Sequence, residues 1–212
     1  MQSEIISALN WRYATQVFDT EKNISDHDFN ELLEALRLSP SSFGLQPWKF
    51  IVVENPELRK KIRAAAFNQP KVTEASHLIV LCSRIDTSEE YIKEYVRDIA
   101  KTRNISVDSL KGFEDMMINF RKSMTENSIN DWAKKQTYIA LGVLLEAAAL
   151  KKIDAGPMEG FSPEGVDEVL NLKKDGYTTA VLCALGYRSA EDKAASYAKV
   201  RHPKSKAVEI RK

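Results

Sequence analysis

Three basic residues near the two ends of the chain are suited to holding a phosphate group. Arg12 lies in the segment NWRYATQ, and Lys199 and Arg201 lie in YAKVRHP. The planar guanidinium group of arginine can form two charge-assisted hydrogen bonds with a phosphate. Because most lysine and arginine side chains are solvated surface charges, the residue types alone leave both interpretations open.

Other common sources of catalytic chemistry are absent from the sequence. The eight glycines form neither G-x-G-x-x-G nor G-x-x-x-x-G-K-[ST], and no G-x-S-x-G segment occurs. The three histidines lack H-E-x-x-H spacing and have no cysteine cluster nearby, so we expect no metal site. Cys82 and Cys183 lie in apolar runs, which predicts buried thiols rather than a disulfide. An enzyme of this composition would take its reactivity from a bound cofactor.

Two segments of unusual composition could contact such a cofactor. Residues 38–48, LSPSSFGLQPW, predict a loop between a helix and a strand. Residues 156–161, GPMEGF, contain two glycines, and glycine allows the backbone to approach a planar ligand closely. By composition alone, the first segment is also an ordinary turn and the second a tight connection from a helix to a strand.

The elements that would position these segments follow from hydrophobic periodicity. One helix is predicted from an N-cap at Ser25 to about Ser39, with Asp28 in the capping-box position. Further helices are predicted at residues 3–11, from Pro56 onward and at 130–151, and strands at 48–53, 78–82 and 178–185. Few strands, far apart among many helices, indicate an α+β fold, which we take as a single domain over residues 1–212.

The helix at 130–151 and the C-terminal tail both indicate contact with a second subunit. The helix is apolar nearly all round, which predicts burial on most sides. Its predicted inner face consists of Trp132, Gln136, Ile139, Val143, Leu144, Ala147 and Leu150. Residues 207–211, AVEIR, alternate like a short strand that could pair with a distant segment or another subunit.

Charge and hydropathy exclude several other classes of protein. The 31 basic and 30 acidic residues leave a net charge of +1, so no general attraction to nucleic acid or to a membrane surface follows. The N-terminal segment lacks the layout of a signal peptide, and no run approaches the roughly 20 apolar residues of a membrane span. We therefore expect a cytoplasmic protein.

Five separated segments form one ordered pattern that spans nearly the whole chain. They are Arg12-Tyr13-Ala14, Ser39-Pro40-Ser41-Ser42 with Gln46-Pro47-Trp48, Asn68 with Lys71, Pro157-Met158-Glu159-Gly160, and Lys199-x-Arg201. This pattern resembles the oxygen-insensitive NAD(P)H nitroreductase and flavin reductase family. The blocks PSS-x-x-x-QPW and P-x-EGF are its most specific parts, and WAKKQ looks like the start of the family's central helix.

The resemblance implies an α+β fold with a central mixed sheet surrounded by helices. It also implies a domain-intertwined homodimer that exchanges its C-terminal strand and binds FMN noncovalently at the interface. Arg12, Lys199 and Arg201 would hold the FMN phosphate, and the same stretch of chain contributes Tyr13, Ala14 and Gln16. The residues that would reach the flavin of the partner subunit are Pro40, Ser41 and Ser42.

The ring of the flavin is implied to meet a second group of residues. Asn68 and Lys71 would face its pyrimidine side. The stretch that would line the ring near N5 comprises Pro157, Met158, Glu159 and Gly160. Many relatives carry a lysine at the position of Gln16, and Phe43 and Gly44 replace a more polar pair beside the acceptor pocket. Phe120 falls in the stretch where some relatives have an aromatic lid.

The implied reaction is ping-pong, and it assigns no catalytic side chain to the protein. NADH or NADPH would deliver a hydride to N5 of FMN, and a nitroaromatic, a quinone or a similar small acceptor would then take the electrons. Two alternatives stay open. One is a flavin reductase or enone reductase of the same fold, and the other is a flavin-binding protein without turnover.

Overall fold

The computed structural model describes residues 3–212 of the chain. A four-stranded sheet has the order β1-β2-β4-β3, and every neighbouring pair is antiparallel. The strands are β1 (Trp48–Val52), β2 (His77–Arg84), β3 (Asp154–Met158) and β4 (Tyr177–Gly186). Parallel pairing within residues 3–212 is limited to one isolated bridge between Ala14 and Ala155. The expected mixed sheet is therefore antiparallel in its four strands, with this bridge as its parallel component.

Helices cover both faces of the sheet. Their bounds are α1 (Glu4–Trp11), α2 (Asp26–Arg37), α3 (Pro56–Ala65), α4 (Lys71–Glu74), α5 (Glu89–Arg103), α6 (Lys111–Lys122), α7 (Glu126–Leu150), α8 (Pro163–Leu170) and α9 (Lys204–Ala207). The N-cap predicted at Ser25 is confirmed, since its hydroxyl accepts a hydrogen bond from the Asp28 N–H. The central helix, α7, begins at Glu126, a few residues earlier than expected, because Thr125 and Ser128 form a capping box there.

Strand β3 was not predicted, because its sequence contains residues that are unfavourable in strands. Gly156 and Pro157 both lie within it, and we expected a connection there. The strand is tolerated at the edge of the sheet, where it pairs with β4 alone. Gly156 is needed there, since a Cβ atom would lie 2.7 Å from the backbone oxygen of Thr15. The glycine therefore allows the segment before Val17 to approach the sheet closely.

The core is layered, because successive residues of a strand point to opposite faces of the sheet. Ile79 and Leu81 of β2 pack with α2 and α7, whereas Leu78 and Val80 pack with α3 and α8. A third cluster joins α5, α6 and the first turns of α7. Residues 3–212 include no helix that is long and apolar enough to cross a membrane.

One apolar surface on α1 and α7 is left uncovered in the single chain. Ile5 and Ile6 of α1 are 50% and 46% exposed, and Ile139 of α7 is 44% exposed. Trp132 and Leu144 of the predicted inner face are buried, but Ile139 and Leu150 are not. The helix α7 therefore uses one side for the core and presents a second apolar side, next to α1, to the exterior.

The strand expected at residues 207–211 does not form within the chain. Ala207 ends the short helix α9, and the residues after it have no regular secondary structure. Val208 and Ile210 are 50% and 78% exposed, so the apolar side chains that suggested a strand contact no core. The alternating pattern is real, but no free sheet edge of the same chain takes up this segment.

Candidate functional site

The three cations singled out in the sequence line one cavity of about 440 Å³. Arg12 follows directly after α1, and Lys199 and Arg201 come from the segment before α9. The Lys199 ammonium group donates hydrogen bonds to the backbone oxygens of Leu9 and Arg12, which fixes the two distant segments side by side. None of the described residues that line this cavity is acidic.

The charges in this cavity are close enough to disfavour one another. Burial, and then the positive charge of Arg201, lowers the pKa of Arg12. Burial, Arg12 and Arg201 together lower the pKa of Lys199. The buried Nε atom of Arg12 has no hydrogen-bond partner among residues 3–212. An uncompensated cluster with an orphaned donor is the arrangement expected of a site for a multivalent anion.

A buried carboxylate, Asp192, holds the walls of this cavity together. It is 4% exposed and accepts hydrogen bonds from the Tyr13 hydroxyl at 2.9 Å and from the backbone N–H groups of Gln16 and Val17 at 2.9 and 3.2 Å. The Ala194 N–H donates to its other oxygen at 3.0 Å. The residue was missed from the sequence, because Tyr13, Gln16 and Val17 lie 175 to 179 positions away and no local motif marks it.

An ion pair between Asp154, which is buried, and Arg188 supports the same wall. Asp154 accepts hydrogen bonds from the backbone N–H and the Nε of Arg188, at 2.9 and 2.8 Å. The Arg188 guanidinium group lies over the rings of Trp11 and Tyr13, 4.3 and 4.6 Å from their centroids. The aromatic residues on either side of Arg12 are therefore fixed by Arg188, which sequence reasoning also missed.

Lys71 and Gln16 meet beside β3. The Lys71 ammonium group lies 3.4 Å from the Gln16 side-chain oxygen, and Lys71 is only 6% exposed. Burial lowers the pKa of Lys71, and Asp192 is among the groups that oppose this shift. Because a Cβ at Gly156 would lie 3.5 Å from the Lys71 stem, the lysine lies against β3. Asn68, three residues earlier, is exposed and has a left-handed backbone with φ 59°.

The end of β3 borders a second cavity, of about 380 Å³, lined by Pro157, Met158 and Glu159 together with Tyr138 of α7. The Tyr138 hydroxyl donates a hydrogen bond to the Glu159 carboxylate. The Gly160 carbonyl accepts a hydrogen bond from the Gln69 side chain at 2.6 Å. Gly160 is exposed, and its N–H has no hydrogen-bond acceptor among residues 3–212.

The loop at residues 40–44 lies in neither of these cavities. Pro40, Ser41 and Gly44 line a separate open cavity of about 430 Å³. The Ser42 N–H donates to the buried Gln136 side chain of α7 at 2.9 Å, which anchors the loop. Phe43 has a left-handed backbone with φ 60°. A single chain therefore brings the basic residues, Lys71 and the β3 end to adjoining surfaces but leaves Pro40–Ser42 apart from them.

The residues expected beside the acceptor do come together. The Phe43 ring packs edge-on against Phe120, with 5.1 Å between their centroids. Phe120 packs in the same manner against Trp132 at 5.7 Å. The backbone of Gly44 is left-handed, with φ 73°, which favours glycine, and a Cβ atom there would lie 2.3 Å from the Tyr95 hydroxyl. The result is an aromatic surface next to the loop at 40–44.

Comparison with known proteins gives a consistent result. The model of the nitroreductase family matches residues 9–187. The chain is 39% identical over 201 residues to a Staphylococcus saprophyticus protein assigned by name as an NAD(P)H nitroreductase, and the alignment covers 91% of this chain and 92% of that protein.

Two solved structures share the fold over nearly the full length. A Bacillus subtilis protein whose name is that of a nitroreductase superposes on this chain with a TM-score of 0.87 at 22% identity, and the match covers 98% of this chain and 99% of that chain. An Exiguobacterium sibiricum protein, solved in complex with FMN, superposes with a TM-score of 0.83 at 20% identity, covering 100% and 99%.

Proposed function

Because the chain belongs to the nitroreductase family, we propose that it is an NAD(P)H-dependent oxidoreductase that binds FMN noncovalently. Its electrons go to small acceptors such as nitroaromatics or quinones. The observation that carries the proposal is the cavity in which Arg12, Lys199 and Arg201 converge without an acidic lining residue. A phosphate monoester has close to two negative charges at neutral pH, which these cations would balance.

The residues present fit FMN along a continuous path. The orphaned Nε of Arg12 offers a donor at the phosphate end. The bridge between Ala14 and Ala155 joins this wall to β3, whose far end lines the second cavity. Two residues beyond the end of β3, the free Gly160 N–H would offer a donor to N5 of the ring. The edge strand β3 thus lies between the cation cluster and the Gly160 amide.

Each residue along this path binds or orients the cofactor. Arg12, Lys199 and Arg201 would hold the phosphate. Lys71, which lies beside Gln16, would face the pyrimidine edge, where a cation favours the reduced, more negative ring. The remaining ring contacts come from Tyr13, Ala14, Asn68, Pro157, Met158 and Glu159. FMN, when bound, supplies the hydride chemistry at N5, so no side chain needs to act as acid, base or nucleophile.

The working unit in this proposal is a homodimer. Pro40, Ser41 and Ser42 lie apart from the cation cavity of their own chain, and they would contact the flavin of the partner subunit. The uncovered surface that contains Ile6 and Ile139 supplies the apolar area for such an interface. The exposed tail after α9 would then pair with the partner's sheet.

The acceptor site is assigned to the aromatic surface formed by Phe43, Gly44 and Phe120. Planar acceptors are favoured there, because aromatic rings pack well edge-on or offset against one another. Nicotinamide donor and acceptor would occupy this surface in turn, which gives ping-pong kinetics.

An anaerobic spectroscopic experiment tests the proposal. Purified protein should be yellow, NADH or NADPH should bleach it, and acceptors added one at a time should restore the colour. Nitroaromatics, quinones, enones and free flavin should be compared, since the rates of reoxidation rank the acceptor classes. A protein that binds added FMN but is not bleached by either nucleotide would be a flavin-binding protein without turnover. A colourless protein that rejects FMN would refute the proposal.

A further inference from the structure

Tyr138 is a residue of the ring cavity to which the reaction described so far gives no role. It lies on α7, and its hydroxyl donates to the Glu159 carboxylate and approaches the Ala180 carbonyl at 3.4 Å. Burial, followed by the hydrogen bond to Glu159 and its negative charge, raises the pKa of Tyr138. The phenol is therefore a protonated hydrogen-bond donor at neutral pH.

The segment from Glu159 to Phe161 is held by two hydrogen bonds. The Gly160 carbonyl accepts from the Gln69 side chain at 2.6 Å, and the Glu159 carbonyl accepts from the Phe161 N–H at 3.0 Å. These bonds fix both carbonyl groups of the segment. The Glu159 side chain is exposed and lies beyond the last residue of β3, so Tyr138 provides its only hydrogen bond within residues 3–212.

We propose that Tyr138 is a positioning residue: through Glu159 it orients the peptide whose free N–H meets N5 of FMN. The inference rests on the proposed function, because it assigns that N–H to the flavin. Tyr138 does not contact the reacting atoms in this scheme and transfers no proton. Because Tyr138 is held on the long helix α7, its hydrogen bond to Glu159 fixes the direction of the Gly160 N–H.

Removal of a single oxygen atom tests this role. Tyr138→Phe deletes the hydroxyl and leaves the ring. Tyr177→Phe is the matched control, since the Tyr177 hydroxyl accepts a hydrogen bond from Arg84 of the neighbouring strand β2. Both variants should be loaded with FMN, and exchange of the Gly160 amide hydrogen should be followed by NMR. We expect roughly tenfold faster exchange in Tyr138→Phe, because the loss of a charge-assisted bond releases Glu159. Tyr177→Phe should exchange at the wild-type rate.

Two further measurements separate positioning from general loosening. FMN affinity of Tyr138→Phe should stay within about twofold of wild type, because the phosphate is bound by residues on other elements. Glu159→Ala should accelerate exchange by a similar factor, and adding Tyr138→Phe to it should change little further. Unchanged Gly160 exchange in Tyr138→Phe, or additive effects of the two substitutions, would overturn the inference. Failure of the wild-type protein to bind FMN would instead overturn the proposed function.

Discussion

Replacing Arg12 with methionine should weaken FMN binding and stabilise the protein without FMN. The buried Nε of Arg12 has no hydrogen-bond partner among residues 3–212, and burial, followed by neighbouring positive charge, lowers the pKa values of Arg12 and Lys199. Methionine keeps much of the apolar stem and removes both unfavourable features. An unsatisfied buried donor costs about 1–3 kcal/mol, so a gain of about 1 kcal/mol in the free energy of unfolding of the apoprotein is expected.

The same substitution should stabilise the apoprotein but weaken the binding of FMN. A hydrogen bond to a charged group contributes about 1.5–3 kcal/mol, so the Kd for FMN should rise about 10- to 150-fold. Titration of apoprotein by quenching of flavin fluorescence, at one fixed salt concentration, gives this Kd. Riboflavin has no phosphate and should lose little affinity. Urea unfolding of the apoprotein gives the stability change.

Arg97 offers a matched control, because it is an exposed arginine paired with Glu90 on α5. Arg97→Met should leave FMN affinity unchanged and should not stabilise the protein. The account of the cavity is refuted if Arg12→Met destabilises the apoprotein while FMN affinity stays at the wild-type value. That outcome would mean that Arg12 is a structural residue whose Nε is satisfied in solution.

Three other substitutions test separate parts of the account. Lys71→Met removes the buried cation beside Gln16 and should lower the FMN midpoint potential by about 20–45 mV, from about 1–2 kcal/mol of differential stabilisation; an unchanged potential in a spectroelectrochemical titration contradicts that placement. Burial disfavours the ionised form of Asp192, but the hydrogen bonds from backbone N–H groups outweigh burial and lower its pKa. The ionised side chain should therefore stabilise the folded protein fully above the unfolded pKa of about 3.9, and this stabilisation should be lost as pH falls through the folded pKa. Asp192→Asn should therefore lower the free energy of unfolding by about 1–3 kcal/mol at pH 7 and weaken its dependence on pH in acid. An unchanged pH dependence in acid would contradict this role of Asp192. Ile139→Glu places a charge on the uncovered apolar surface and should give monomers without FMN in sedimentation, whereas a dimer that retains FMN contradicts the proposed interface.

Local signals in the sequence predicted the local elements well. Ser25 caps α2 because a hydroxyl three residues before an N–H is a short-range geometry that sequence displays directly. The strands β1, β2 and β4 are apolar runs of ordinary strand composition, and each was found within two residues of its bounds. Strand β3 was not predicted, because it contains a glycine and a proline. The glycine allows another segment to approach closely, and hydrophobic periodicity does not show that requirement.

Long-range partners were beyond the reach of sequence patterns. Asp192 and Arg188 organise the cation cavity, yet each is one charged residue among many in a loop-rich segment. The contact between Lys71 and Gln16 likewise joins two segments by folding alone, although both residues were candidates from the family resemblance. Two expectations, the strand at 207–211 and the role of Pro40–Ser42, depend on a second chain. In a single chain, residues 207–211 pair with no strand, and Pro40–Ser42 lie apart from the cation cavity.

Isothermal titration of the apoprotein with FMN and with riboflavin tests the central claim most directly, because the two ligands differ only in the phosphate. Three converging cations predict one FMN per subunit, bound at least about 100-fold more tightly than riboflavin at low salt. The preference should shrink as salt rises, since screening weakens the phosphate contacts more than the ring contacts. Equal affinity for FMN and riboflavin would contradict the assignment of the cavity to the FMN phosphate.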